Sequence, residues 1–111
     1  MKARASGRGV AARAFGAVLL SLFAVTARAD MVAVKIERLA FTSEPLTVHI
    51  GDTVQWTNAD FVAHTATARN GAWDVIIPAH GNASVVLDRA GTFDYYCKFH
   101  PNMTGQITVT Q

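Results

Sequence analysis

Beyond residue 30, apolar side chains recur at every second position, and that rhythm most restricts the fold. Val32, Val34 and Ile36 alternate with Ala33, Lys35 and Glu37. Leu46, Val48 and Ile50 alternate with Thr47 and His49, and Val54 and Trp56 with Thr53, Gln55 and Thr57. A period of two turns one face of an extended strand towards a core, where a helix would need 3.6. Further short strands are predicted over 62–67, 73–77, 84–88, 92–97 and 105–110. Turn residues separate them at Gly51-Asp52, Asn58-Ala59-Asp60, Asn70-Gly71, His80-Gly81-Asn82 and Ala90-Gly91. Strands so short and so regularly spaced indicate an antiparallel sandwich or barrel, and the fold class is all-β. The first strand slips phase between Ile36 and Leu39. A bulge or bend near Glu37-Arg38 is expected to return Leu39 and Phe41 to the core.

The first 29 residues do not share this pattern. Lys2, Arg4, Arg8 and Arg13 precede an apolar run from Ala14 to Val25, and Ala27-Arg28-Ala29 then offers small residues on either side of an arginine before Asp30. This is the layout of a secretory signal peptide over 1–29, leaving one domain over 30–111. A run of about twelve residues is too short to span a bilayer, which takes about 20 in a helix. No Arg-Arg pair directs the chain to the twin-arginine route, so general export to the periplasm is expected. Cleavage changes the charge: Lys35, Arg38, Arg69, Arg89 and Lys98 remain against all eight acidic residues, a formal charge of −3. The whole-chain pI of 9.0 belongs to the precursor. Five scattered basic residues make no nucleic-acid footprint.

A domain this small is near the limit of what one core can hold, and such domains often add a disulfide or a metal. Cys97 is the only cysteine, which excludes a disulfide within the chain. An unpaired thiol in an oxidising compartment needs burial or a metal to protect it.

Cys97 opens the segment Cys97-Lys98-Phe99-His100-Pro101-Asn102-Met103. Thiolate, imidazole and thioether thus fall at three-residue intervals in one loop between two predicted strands. From this chain's own composition, a His at +3 and a Met at +6 from the cysteine would arise by chance roughly one time in a thousand. Two histidines and a cysteine in a plane, with a distant axial methionine, is the ligand set of electron-transferring copper sites. The second histidine must come from elsewhere. His49 lies on the outward side of its strand pattern and His80 in a Pro/Gly/Asn loop, whereas His64 opens a short strand just after a loop. His64 is therefore the best candidate, with Cys97, His100 and Met103.

Two blocks then carry a resemblance that covers nearly all of residues 30–111. One is Val48-His49-Ile50-Gly51-Asp52-Thr53-Val54-Gln55-Trp56-Thr57-Asn58, followed by His64. The other runs from Ala90-Gly91-Thr92-Phe93-Asp94-Tyr95-Tyr96-Cys97 through His100, Met103 and Gly105. The sequence resembles the cupredoxins, and within them the amicyanin group, whose two-residue gaps on both sides of the loop histidine it shares. The resemblance implies a Greek-key β-sandwich of about eight strands with one type 1 copper ion, cycling between Cu(I) and Cu(II), at its loop end. His64, Cys97 and His100 would be equatorial ligands and Met103 axial. It also implies that one edge of His100 meets the surface among apolar residues, for which Phe99, Pro101 and Phe61 are the candidates; core positions for the two phenylalanines are the competing expectation.

Three departures stand out. Thr65 follows His64 where Asn is common, yet its backbone N–H could still reach the Cys97 sulfur. Phe99 stands where amicyanins more usually carry Pro. The domain enters its first strand directly, without the N-terminal extension associated with amicyanins.

The expected activity is single-electron transfer between redox proteins, of dehydrogenase or cytochrome type, through a transient interface near His100. A monomer is expected, with no nucleic-acid partner and no membrane span after cleavage. A copper carrier without electron transfer is the alternative; the chain has no Met/His-rich tract of the kind such handover uses. A copper enzyme would need further centres, and only His49 and His80 remain. An immunoglobulin-like module fails because the cysteine that should precede Trp56 is missing.

Overall fold

A computed structural model describes residues 28–42 and 45–111. The predicted signal segment up to residue 27 lies outside the described residues. Eight strands follow in order: β1 (Met31–Ile36), β2 (Leu46–His49), β3 (Thr53–Asn58), β4 (His64–Ala68), β5 (Asp74–Ile77), β6 (Asn82–Val86), β7 (Gly91–Tyr96) and β8 (Thr104–Thr110). They form a three-stranded sheet, β1-β3-β6, and a five-stranded sheet, β2-β8-β7-β4-β5.

The all-β reading and the strand count hold, but the sandwich is not purely antiparallel. β1 pairs parallel with β3, and β2 parallel with β8. Parallel neighbours need a long crossover. Here the crossover from β1 to β3 is itself a strand, β2, which lies in the opposite sheet.

Alternation puts Val34, Ile36, Val54 and Trp56 inward from the smaller sheet, and Val48, Ala66, Ile77, Phe93, Tyr95, Ile107 and Val109 from the larger. Burying each large apolar side chain contributes about 1.5–3 kcal/mol. Trp56, Trp73, Phe93, Tyr95 and Phe41 make a continuous aromatic cluster, and the Trp56 indole N–H donates to the Tyr95 hydroxyl at 3.3 Å. Gly105 lies under the Tyr95 ring, where an added Cβ would stand 2.6 Å from Cε1. Only glycine lets β8 pass there.

The bend after β1 corrects one expectation. Phe41 does return to the core, but Leu39 is 49% exposed. Glu37 and Ala40 exchange backbone hydrogen bonds of 3.0 and 3.2 Å, closing a tight turn with Arg38 and Leu39 at its tip. Both tip residues have left-handed φ, 55° and 56°. Positive φ at both central positions is the pattern of a hairpin turn that favours Asn-Gly. For residues with a Cβ the left-handed conformation costs about 1–2 kcal/mol each.

At the opposite end, Asp52 is buried in the β2–β3 turn, where its carboxylate accepts the N–H of Asp30 at 2.9 Å and that of His49 at 2.8 Å. Those two N–H groups, the Asp30 contact first, hold its carboxyl below the usual carboxylate range despite its burial.

Candidate metal centre

Three chain segments meet at one end of the sandwich. His64 is the first residue of β4, Cys97 follows directly on β7, and His100 and Met103 lie in the loop that leads to β8. Because β4 pairs antiparallel with β7 through Thr67–Tyr96 and Ala68–Tyr95, the start of β4 runs on beside the loop that follows β7. The loop is built from two successive turns: His100 N–H donates to Cys97 C=O at 3.2 Å, and Met103 N–H to His100 C=O at 2.8 Å. Cys97 N–H closes it on Met103 C=O at 3.1 Å. The three-residue spacing in the sequence is thus the repeat of a turn.

The Cys97 sulfur lies 3.7 Å from Nδ1 of His64 and 3.7 Å from Nδ1 of His100. The three donor atoms lie within 4.8 Å of one another, the only such group of His, Cys or acidic side chains among the described residues. The other two histidines stay apart from this group and exposed, as their sequence positions suggested. Cys97 and His64 are fully buried, Met103 is buried, and His100 is half-buried. The geometry suits a metal. With bonds of about 2.0 Å to imidazole and about 2.3 Å to thiolate, a trigonal ion separates sulfur from nitrogen by about 3.8 Å. Two imidazoles and one thiolate, with the thioether of Met103 buried in the same loop, select copper over a hard cation.

The sulfur has one further polar neighbour: Thr65 donates its backbone N–H to Cys97 Sγ at 3.3 Å. This is the contact expected despite the Thr at that position. The Thr65 hydroxyl accepts Lys98 N–H at 2.8 Å and lies 2.9 Å from the Thr67 hydroxyl, which donates to Asp74 at 2.8 Å. Thr67 has one hydroxyl proton and gives it to the carboxylate, so Thr65 must be the donor to Thr67. Lys98 Nζ closes the ring on Asp74 at 2.7 Å. Asp74 is held below its ordinary pKa by the Lys98 and Thr67 hydrogen bonds, and Lys98 is raised by Asp74.

On its other nitrogen, His64 Nε2 lies 2.8 Å from Asp60 Oδ2. Burial works against the Asp60 charge, but the Leu39 N–H, His64 and the Arg38 N–H outweigh it, leaving its carboxyl below the usual range. A carboxylate can only accept, so Nε2 carries a proton, and in the neutral ring Nδ1 turns a lone pair to the cysteine. By sequence, Asp60 stands out only as a turn residue. Asn58, buried beside it, marks the same turn; its side chain donates to the carbonyls of Val62 and Pro78 and accepts Asp60 N–H at 2.9 Å. An Asn-x-Asp turn four residues ahead of a histidine was the available signal.

Phe61 and Phe99 are 87% and 55% exposed, so the competing expectation that they fill the core is wrong. Pro101 is exposed as well.

Comparison with known proteins agrees with this picture. The profile described as a cupredoxin-like domain matches residues 10–109. Amicyanin of Paracoccus versutus is 30% identical over 87 residues, covering 73% of this chain and 66% of that protein. Amicyanin-alpha of Methylorubrum extorquens is 31% identical over 89 residues, covering 75% of each. The matched region thus spans about two thirds to three quarters of these relatives. Among solved structures, the Cu(I) form of a methionine-to-alanine variant of amicyanin superposes with a TM-score of 0.64 at 28% identity, covering 78% of this chain and 87% of that one.

Proposed function

The chain belongs to the cupredoxin-like family, and from that membership we propose that it carries single electrons between redox proteins in the periplasm. Its cofactor is one type 1 copper ion. His64, Cys97 and His100 would hold it, with Met103 as the weaker fourth ligand. The observation that carries this reading is the placing of two Nδ1 atoms 3.7 Å from one buried sulfur, in a donor group whose atoms all lie within 4.8 Å of one another. Bound there, copper would supply a reversible one-electron couple.

The protein's own part is to change little as the electron passes. The ligand loop is closed by three backbone hydrogen bonds, and its sulfur is fixed by Thr65 N–H. His64 is closed off from solvent, whereas His100 is half-buried beside exposed Phe99 and Pro101. His100 is accordingly the contact point for a partner. A small apolar patch of this kind suits a short-lived encounter. A dehydrogenase or a cytochrome would be the class of partner, met by the protein as a monomer after removal of residues 1–29. The role is that of a carrier of electrons, not an enzyme.

Addition of Cu(II) to the metal-free domain should produce an intense blue thiolate-to-copper band that bleaches on reduction while copper stays bound. Persistence of the band in Cys97→Ser, or its absence from the unaltered protein, would overturn this reading. Ready transfer of the copper to a chelating acceptor would favour a metal carrier instead.

A further inference from the structure

Three non-glycine residues with positive φ occur among the described residues: Arg38 at 55°, Leu39 at 56° and His80 at 57°. They come from two loops far apart in sequence, and all three direct their backbone N–H at Asp60. Arg38 N–H donates to Asp60 Oδ1 at 2.8 Å, Leu39 N–H to Oδ2 at 3.0 Å, and His80 N–H to the Asp60 carbonyl at 3.2 Å. Backbone held in sparsely populated conformations persists only where the surroundings over-determine it, and it gathers at functional sites. Here the strained positions converge on one residue, whose Oδ2 is also 2.8 Å from Nε2 of the fully buried His64.

We infer that Asp60 is the positioning residue of the metal centre, its carboxylate fixing the tautomer and direction of the His64 ring while Arg38 and Leu39 hold that carboxylate and His80 holds the Asp60 backbone carbonyl. This rests on the copper reading above for its purpose, though not for its geometry. His64 offers two nitrogens, and only Nδ1 faces the cysteine. Without an acceptor at Nε2, the buried ring could place its proton on Nδ1, the atom that must bind metal. Partners of this outer kind orient a ligating imidazole and raise its basicity. The hairpin tip at 38–39, remote from the ligand loop in sequence, thereby becomes part of the site.

The test compares Asp60→Ala, Asp60→Asn and Asp60→Glu with the unaltered protein. In the metal-free state, the 15N shifts of His64 report its tautomer directly. The unaltered protein should show the Nε2–H form alone, Asp60→Ala a mixture, and Asp60→Glu a partial return. After copper loading, Asp60→Ala should release the ion to a chelator about tenfold faster or more. Its reduction potential should also move. If Asp60→Ala fails to fold, Asp60→Asn is the variant to read, because one amide oxygen can still receive a turn N–H while the negative charge at Nε2 is gone. An unchanged His64 tautomer and release rate, with only the melting temperature lowered, would reduce Asp60 to a turn former and overturn the inference. An unaltered protein that never turns blue would defeat the copper reading, and the metal-free spectra would still decide the role of Asp60.

Discussion

The Thr65 side chain clamps the ligand loop from below: its hydroxyl accepts Lys98 N–H at 2.8 Å while its own N–H meets the Cys97 sulfur at 3.3 Å. One residue therefore holds Cys97 and its successor together. Thr65→Val keeps the shape and the backbone donor but removes the hydroxyl. Leaving Lys98 N–H without its acceptor should destabilise the domain by about 1–3 kcal/mol. Urea unfolding would read this as a lower midpoint at unchanged slope, with the blue band retained.

Gly105→Ala tests the packing beneath Tyr95. The new Cβ would press on a fully buried tyrosine whose hydroxyl also accepts the Trp56 N–H. Overpacking of this kind costs about 1–3 kcal/mol. With a domain of this size, each kcal/mol should lower the melting temperature by about 4–8 °C. A melting temperature unchanged from the parent would show that β8 can move aside.

Met103 separates packing from ligation. Met103→Leu conserves volume and should cost less than about 1.5 kcal/mol. Met103→Ala empties a buried site and should cost about 2–5 kcal/mol. Both variants should still take up copper, because the two imidazoles and the thiolate remain, while the potential and the visible spectrum change. Voltammetry and copper analysis together check this; loss of copper from Met103→Leu would show the thioether to be essential for holding the ion.

Acid should reveal Asp52. Its folded pKa is lowered, chiefly by the Asp30 and His49 N–H groups. The stability it contributes is therefore complete above the unfolded carboxylate value of about 3.9 and is lost as pH falls through the lower folded value. Asp52→Asn should flatten the acid limb of the melting curve below about pH 4 and leave its shape above that unchanged. Asp74 has the same sign through Lys98 and Thr67, but its exposed ion pair should respond to salt as well.

The ligand loop was legible because it is local: Cys97, His100 and Met103 are spaced by turns that the chain makes with itself. His64 was legible because a strand start can face a neighbouring loop, and β4–β7 pairing realises that. Asp60 was not, because its meaning comes from backbone donors at Arg38 and Leu39, about twenty residues earlier. Nothing in the dipeptide Arg-Leu announces a turn that prefers Asn-Gly. The parallel pairings were hidden for a related reason. Alternation tells which face of a strand is buried but not which neighbour it joins, so β1 against β3 is decided by the passage of β2 through the other sheet.

The contact between Asp30 N–H and Asp52 would change character if the predicted leader over 1–29 is removed. In the full chain that nitrogen is a neutral amide. Cleavage between Ala29 and Asp30 would turn it into an ammonium, 2.9 Å from a buried carboxylate. Removal of that segment would then add an ion pair to the fold, so that the trimmed chain would be latched by the cut that frees it. A domain beginning at Asp30 should accordingly melt at a higher temperature than the same domain with its amino group acetylated.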